Sequence, residues 1–186
     1  MKVEIWSDVV CPWCFIGKRR FESALERFPH KEQVEVTWRS FELDPSAPPE
    51  RQGELADHLA VKYGMSRQQA DHMQQTMTTA AAAEGLTFDF SQARSGNTFD
   101  AHRLLHLAAE RGVQDAVKER LLTAYFSEGE PIGDPTALVR MVEEAGLDGA
   151  EAKEVLAGEE YAEDVRAEEA DAQTLGISGA SFFVVS

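Results

Sequence analysis

Cysteine is almost absent: the chain of 186 residues holds two. Both stand in "SDVVCPWCFIGKRR", residues 7–20, as Cys11 and Cys14. That count excludes a four-cysteine zinc site and a fold held by a disulfide framework. A chain of this length buries enough surface to fold without covalent staples. Long apolar runs are missing as well; none approaches the ~18 residues of a membrane span, so no transmembrane helix is expected. Basic residues are scarce, with 18 Lys and Arg against 33 Asp and Glu, and the net charge of −15 repels nucleic acid and anionic lipid alike. Neither a nucleic acid nor a membrane is expected as a partner. The opening "MKVEIWSDVV" places acidic residues inside its apolar stretch, lacks the core of a secretory signal, and reads as a strand. A cytoplasmic, reducing location is the expectation, and there a C-x-x-C pair rests as the dithiol.

What is present divides into a small α/β part and a long helical part. Val3 to Trp6 alternate weakly and run on through Val9 and Val10, the profile of a buried strand entering a loop. From Cys14, the positions Gly17, Phe21, Leu25 and Phe28 recur at helical spacing, predicting a core-facing stripe, with Lys18, Arg19 and Glu22 on a solvated face. Pro29 closes that helix, and Glu35 to Phe41 alternate as a second strand, giving a βαβ unit with parallel strands. After a proline-rich loop, Glu42 to Gly53, everything to about Leu175 reads helical. Asp134 with Pro135 starts one helix, Asp148 with Glu151 caps another, and Gly176 closes the last. "FFVV", Phe182 to Val185, reads as a buried strand. The predicted organisation is a core of residues 1–45 and 175–186, split by a helical insertion of residues 50–174.

Cysteine reacts as the thiolate, and a helix N-terminus stabilises that charge through unpaired N–H groups and the macrodipole. Cys11 is placed at such a terminus, exposed; Cys14 lies one turn inside, facing the core. Two-residue spacing lets Cys14 attack a mixed disulfide formed at Cys11. Pro12 stiffens the first turn and gives up an N–H without a helical partner. Trp13 offers an apolar surface beside the sulfur. The alternative of two buried structural cysteines remains open at this point, because cysteine also packs as a small hydrophobe.

In the order strand, C-P-W-C helix, parallel strand, helical insertion and glycine-turn strand, the chain resembles the DsbA-like thioredoxin superfamily. Within it, the chain is similar to the FrnE-like branch, related to 2-hydroxychromene-2-carboxylate isomerases and kappa-class glutathione transferases. The resemblance is carried by "SDVVCPWCFIGK", "FELDP" (Phe41 to Pro45), "NTFDAHRLLHLA" (Asn97 to Ala108) and "LGISGASFFV" (Leu175 to Val184). It implies a thioredoxin-like α/β fold with a large all-helical insertion, and thiol–disulfide oxidoreduction or disulfide isomerisation. It further implies that Cys11 attacks a substrate disulfide, that Cys14 resolves it, and that the loop at Ala180 pairs its backbone with bound peptide. The implied partner is a disulfide-containing protein or a small thiol; no cofactor is required, and glutathione is admitted as a co-substrate.

Two departures from the family pattern stand out. Ser181 occupies the position of a cis-proline, and because a cis bond before a non-proline residue costs about 3–4 kcal/mol, a trans peptide and a reshaped loop that leaves both sulfurs uncovered are expected. The fold's last strand and terminal helix do not follow Val185, which predicts an open sheet edge and an uncovered apolar face, the expectation being either a truncated product or completion by another chain, a homodimer through that edge being the form this would take. Two rival functions follow. One is a glutathione-dependent isomerase of small aromatic substrates. The other is a non-enzymatic metal- or partner-binding form, permitted by Ser181.

Three further residues are substrate-binding candidates with Ala180 and Ser181, since the resemblance places their segment along the cleft: Asn97, His102 and Arg103. Asn97 reads first as a helix N-cap. His102 and His106, four residues apart, are read as half-buried packing or hydrogen-bonding residues on a helix flank; no metal site is predicted, because no third ligand or carboxylate lies nearby in sequence. The acidic stretch Glu159 to Ala172 is read as a solvated face.

Overall fold

A computed structural model describes residues 1–186. Strand β1 (Lys2–Ser7) pairs in parallel with β2 (Glu35–Ser40), in register from Lys2 opposite Glu35 to Ser7 opposite Ser40. Helix α1 (Pro12–Glu26) makes the crossover between them. Strand β3 (Phe182–Val185) lies antiparallel on the other side of β1, so the sheet has the order β2-β1-β3. The period of two divides β1 between two layers. Val3 and Ile5 pack with Trp38 against Phe21 of α1, while Trp6 faces Ala172 and Ile177 on the far side.

Between β2 and β3 the chain forms seven helices: α2 (Leu55–Tyr63), α3 (Arg67–Ala83), α4 (Phe99–Glu110), α5 (Gln114–Thr123), α6 (Pro135–Glu144), α7 (Gly149–Ala157) and α8 (Ala162–Thr174). Caps set their starts. Asp134 accepts from Ala137 N–H, Asp148 from Ala150 and Glu151 N–H, and Ser66 forms a reciprocal box with Gln69. One apolar core runs without a break from Val9, Phe15 and Ile16 into Leu104, Leu121 and Phe126. Gly96 and Gly133 both close on the Pro49 carbonyl, which an added Cβ would approach to 2.0 and 1.9 Å. The loop after β2 is thereby clamped to the approaches of α4 and α6.

Several sequence expectations are corrected. Helix is interrupted between Glu84 and Thr98, where Gly85 takes φ 74° and Thr87, Phe88 and Phe90 lack helical spacing. The buried face of α1 is Cys14, Phe15, Ile16 and Lys18, and Phe28 stays exposed. Lys18 is buried because α1 packs near the start of α5, where Glu22, Asp115 and Glu119 surround its ammonium. The acidic face of α8 turns Glu168 inward: it accepts from Ser40 N–H (2.6 Å) and Arg39 (2.6 Å) and sits 3.2 Å from His106 Nε2. Strand β3 is not buried: Phe182 is 44% and Val185 61% exposed, because only β1 flanks it.

Candidate active site

Three elements meet at the cysteines. Cys11 ends the loop from β1 and is the N-cap of α1, in extended backbone (φ −95°, ψ 112°), with Pro12 at the first helical position. Its sulfur accepts the Cys14 N–H at 3.3 Å, an otherwise orphaned first-turn donor. From the other side the Cys11 thiol donates to the Ala180 carbonyl at 3.6 Å. Trp13 stands at the rim, 46% exposed.

The loop before β3 differs from expectation. The Ala180–Ser181 peptide is cis. Residue type alone favours a trans bond, whereas here the loop is held between the Cys11 sulfur and Gly17, whose Cβ, if present, would lie 3.2 Å from Ser181 Oγ. The sulfurs are also not uncovered. Cys11 is 3% and Cys14 1% exposed, both as free thiols, with the loop closing over them in the absence of a proline ring.

Below the sulfurs lies a buried set of charges that sequence reasoning missed. Asp8, at the end of β1, accepts from Val9 N–H (2.8 Å) and Leu43 N–H (2.8 Å), with His102 Nε2 at 3.2 Å. Burial opposes the Asp8 charge, but His102, Leu43 N–H and Lys118 overcome it and hold the carboxyl below its usual range. Lys118 of α5 donates to the Ser7 carbonyl at 3.2 Å and lies over the Trp38 ring, 5.6 Å from its centroid. Burial pulls the Lys118 ammonium down, opposed by Cys14, Asp8 and Cys11.

The two thiols titrate as a pair. The hydrogen bond with Cys14, then burial, push the Cys11 thiol well up. For Cys14, burial opposes ionisation, yet the Cys11 hydrogen bond, the Lys118 charge, the Ser7 hydroxyl and the Asp8 N–H bring the thiol down. The two sulfurs are therefore unequal, Cys14 feeling the Lys118 charge and Cys11 held up by its hydrogen bond to Cys14 and by burial. The first-turn N–H that favours charge on Cys11 is present, but contrary to the expectation of a favoured Cys11 thiolate it is outweighed by the Cys14 hydrogen bond and by burial.

The other candidates are not brought to the sulfurs. His102 is fully buried beneath them, reached through Asp8, rather than half-buried on a flank. The carboxylates absent from its sequence neighbourhood arrive from β1, for His102, and from α8, for His106. Arg103 points away, donating to the carbonyls of Val155, Glu160 (2.9 Å) and Gly158 (2.6 Å) around the end of α7. Asn97 accepts from Phe99 N–H at 2.9 Å, so it does cap α4, although Thr98 occupies the N-cap position. No group of three or more His, Cys, Asp or Glu side chains is gathered in metal-binding geometry.

The match to the model of the DSBA-like thioredoxin domain runs over residues 2–186. The chain belongs to the DsbA-like thioredoxin family. It is 46% identical to a probable DsbA oxidoreductase from Streptomyces coelicolor, whose crystal structure aligns at a TM-score of 0.93 over 99% of this chain and 80% of that one. The uncharacterized protein YwbO of Bacillus subtilis (strain 168) is 34% identical over 161 residues, 86% of this chain and 73% of the relative. The cytosolic disulfide reductase DsbM from Pseudomonas aeruginosa shares the fold, at a TM-score of 0.66 and 19% identity over all of this chain and 85% of its own. Family membership makes an oxidoreductase or isomerase the class of enzyme to which this site belongs.

Proposed function

We propose that this family member is a cytoplasmic thiol–disulfide oxidoreductase with Cys11 as the attacking sulfur and Cys14 as the resolving one. The supporting observation is the unequal setting of the two: the helix N–H and the Ala180 carbonyl meet at Cys11, while Cys14 is seated behind it against Ser7, Asp8 and the Lys118 charge. A cytoplasmic setting is in keeping with the fold shared with DsbM, a cytosolic disulfide reductase.

In this reading the reaction starts from the singly ionised pair, in which one proton serves both sulfurs. Cys11 passes its proton to Cys14 and attacks one sulfur of a substrate disulfide; the new Cys11–substrate bond forms as the substrate's own S–S bond breaks, and the leaving thiolate is protonated by water. Cys14 then loses its proton and attacks the Cys11 sulfur, releasing the second substrate thiol and leaving a Cys11–Cys14 disulfide. Two equivalents of a small thiol of the glutathione type reduce that disulfide by two successive exchanges, leave as their own disulfide, and complete the cycle. In this reading the loop at Ala180 pairs its backbone with a peptide substrate, and Trp13, exposed at the rim, gives the substrate an apolar surface. Both sulfurs take part in this cycle, whereas a glutathione-dependent isomerase needs only one.

Reduction of a protein disulfide by the purified dithiol form tests the reading. Cys11→Ser is expected to abolish turnover, and Cys14→Ser to accumulate a mixed disulfide visible by intact mass. Turnover that persists without Cys11 would end the proposal.

A further inference from the structure

The outer edge of the sheet begins beside the sulfurs. Strand β3 starts two residues after Ala180, whose carbonyl lies 3.6 Å from Cys11 Sγ. At about 3.3 Å per residue, Phe182 stands within roughly 7 Å of that carbonyl. At the far end, Ser186 and Lys2 exchange both backbone hydrogen bonds, at 3.0 and 2.8 Å. Such pairs alternate along an antiparallel ladder, so with Glu4 opposite Val184 and Trp6 opposite Phe182, the N–H and C=O groups of Val184 and Phe182 turn toward β1. Those of Phe183 and Val185 turn outward, to the side on which the order β2-β1-β3 has no further strand.

Edge strands are usually guarded by lysine, proline or a bulge. β3 has none of these: its sequence is FFVV, and its register with β1 is unbroken. Apolar surface flanks the edge on both faces. Phe183, 37% exposed, meets Phe21 of α1 with ring centroids 5.6 Å apart, and Val185 shares that face. Val184 packs on the opposite face with Trp6, Ala172 and Ile177, so the exposed Phe182 lies there too. A strand added at this edge meets apolar side chains above and below, which suits a continuous apolar run rather than an alternating one. The net charge of −15 repels an acidic segment. We propose that the outer edge of β3 docks an extended, continuously apolar segment of a protein substrate that lacks acidic residues, and so delivers the cysteine that follows this segment to Cys11.

The proposal rests on the thiol–disulfide reading above and names its substrate class, an unfolded chain whose backbone groups are free to pair. It also fixes a direction. Antiparallel pairing is the more stable arrangement, and a segment antiparallel to β3 runs from the Val185 end toward Ala180. Its apolar run therefore precedes the cysteine in sequence.

Two peptides of one composition test this, each joined through its cysteine to an aromatic thiol whose thiolate absorbs visible light. One carries the apolar run before the cysteine and the other after it, with lysines at the far end for solubility. Attack by Cys11 on the peptide sulfur forms the Cys11–peptide disulfide and releases the coloured thiolate. The run-first peptide is expected to react about tenfold faster than the run-last one, the worth of two edge hydrogen bonds. That ratio should collapse toward one with Val185→Pro, which removes an outward N–H and none of the bonds to β1, and likewise when the run is N-methylated in the peptide. Equal rates for the two peptides in the wild type, or a ratio that survives both changes, overturn the proposal. So does a dimer in light scattering that Val185→Pro dissociates, which gives the edge to a second copy of the chain. Wild-type protein that releases no thiolate from either peptide, or that loses nothing on Cys11→Ser, defeats the thiol–disulfide reading itself.

Discussion

Arg103 and Glu168 are charged residues turned into the protein, each held by a fixed set of partners. Arg103 donates to three backbone carbonyls, so Arg103→Met removes three hydrogen bonds to a charged group and is expected to lower stability by about 3 kcal/mol in denaturant unfolding, with the thiol reaction of the folded protein unchanged. For Glu168, burial opposes the charge, but His106, Arg39 and Ser40 N–H outweigh it and hold the carboxyl at about 2. A lowered folded value means that stability is fully present above the ordinary value near 4.5 and is lost as pH falls toward about 2. Glu168→Gln should therefore lower stability at neutral pH, by up to about 3 kcal/mol, and flatten the acid limb between pH 4.5 and 2 in a series of thermal melts. Neither role was legible locally. Arg103 was read as a ligand contact because a cleft-lining motif surrounds it, and Glu168 as one acid among many. Lys118 did leave a trace: it shares the helical stripe of Leu121, Leu122 and Tyr125, where a lysine is out of place unless a buried partner awaits it.

At the scale of elements, the start of α1 and the loop before β3 act as one unit. Gly17→Ala brings a methyl against Ser181 Oγ, crowding worth about 1 kcal/mol, while the helix gains about as much from losing a glycine. Stability should stay near wild type and the loop should shift, so faster alkylation of Cys11 by iodoacetamide is the expected readout; an unchanged rate would mean that the loop does not guard the sulfur. The cysteine pair, both parallel strands and the helix caps at Asp134 and Asp148 were legible because each depends on residues close in sequence. What closes over the sulfurs was not, since Ala180 and Ser181 approach from about 170 positions away and their conformation depends on Gly17 and Cys11 rather than on their own residue types. The same limit explains β3: "FFVV" has the composition of a buried strand, but burial requires a neighbour on both faces, and that information is not in the strand.

Over the whole molecule, the excess of acids makes self-repulsion a standing opponent of the folded state. Added salt up to roughly physiological strength should raise the melting temperature, and a flat response would show that the many surface ion pairs already neutralise the field. One aromatic residue joins the charged exterior to the thiols. Trp38 lies between two ammonium groups, Lys118 at 5.6 Å and Lys18 at 5.9 Å from its ring, and its indole N–H donates to Asp115 at 2.9 Å. Lys118 senses the charge on the cysteine pair, whereas the buried Lys18 is tied to the exposed Asp115. The indole is thus an optical probe beside a field that changes when the dithiol becomes a disulfide, and with Trp6 and Trp13 replaced by Phe its emission is expected to shift on oxidation of the protein.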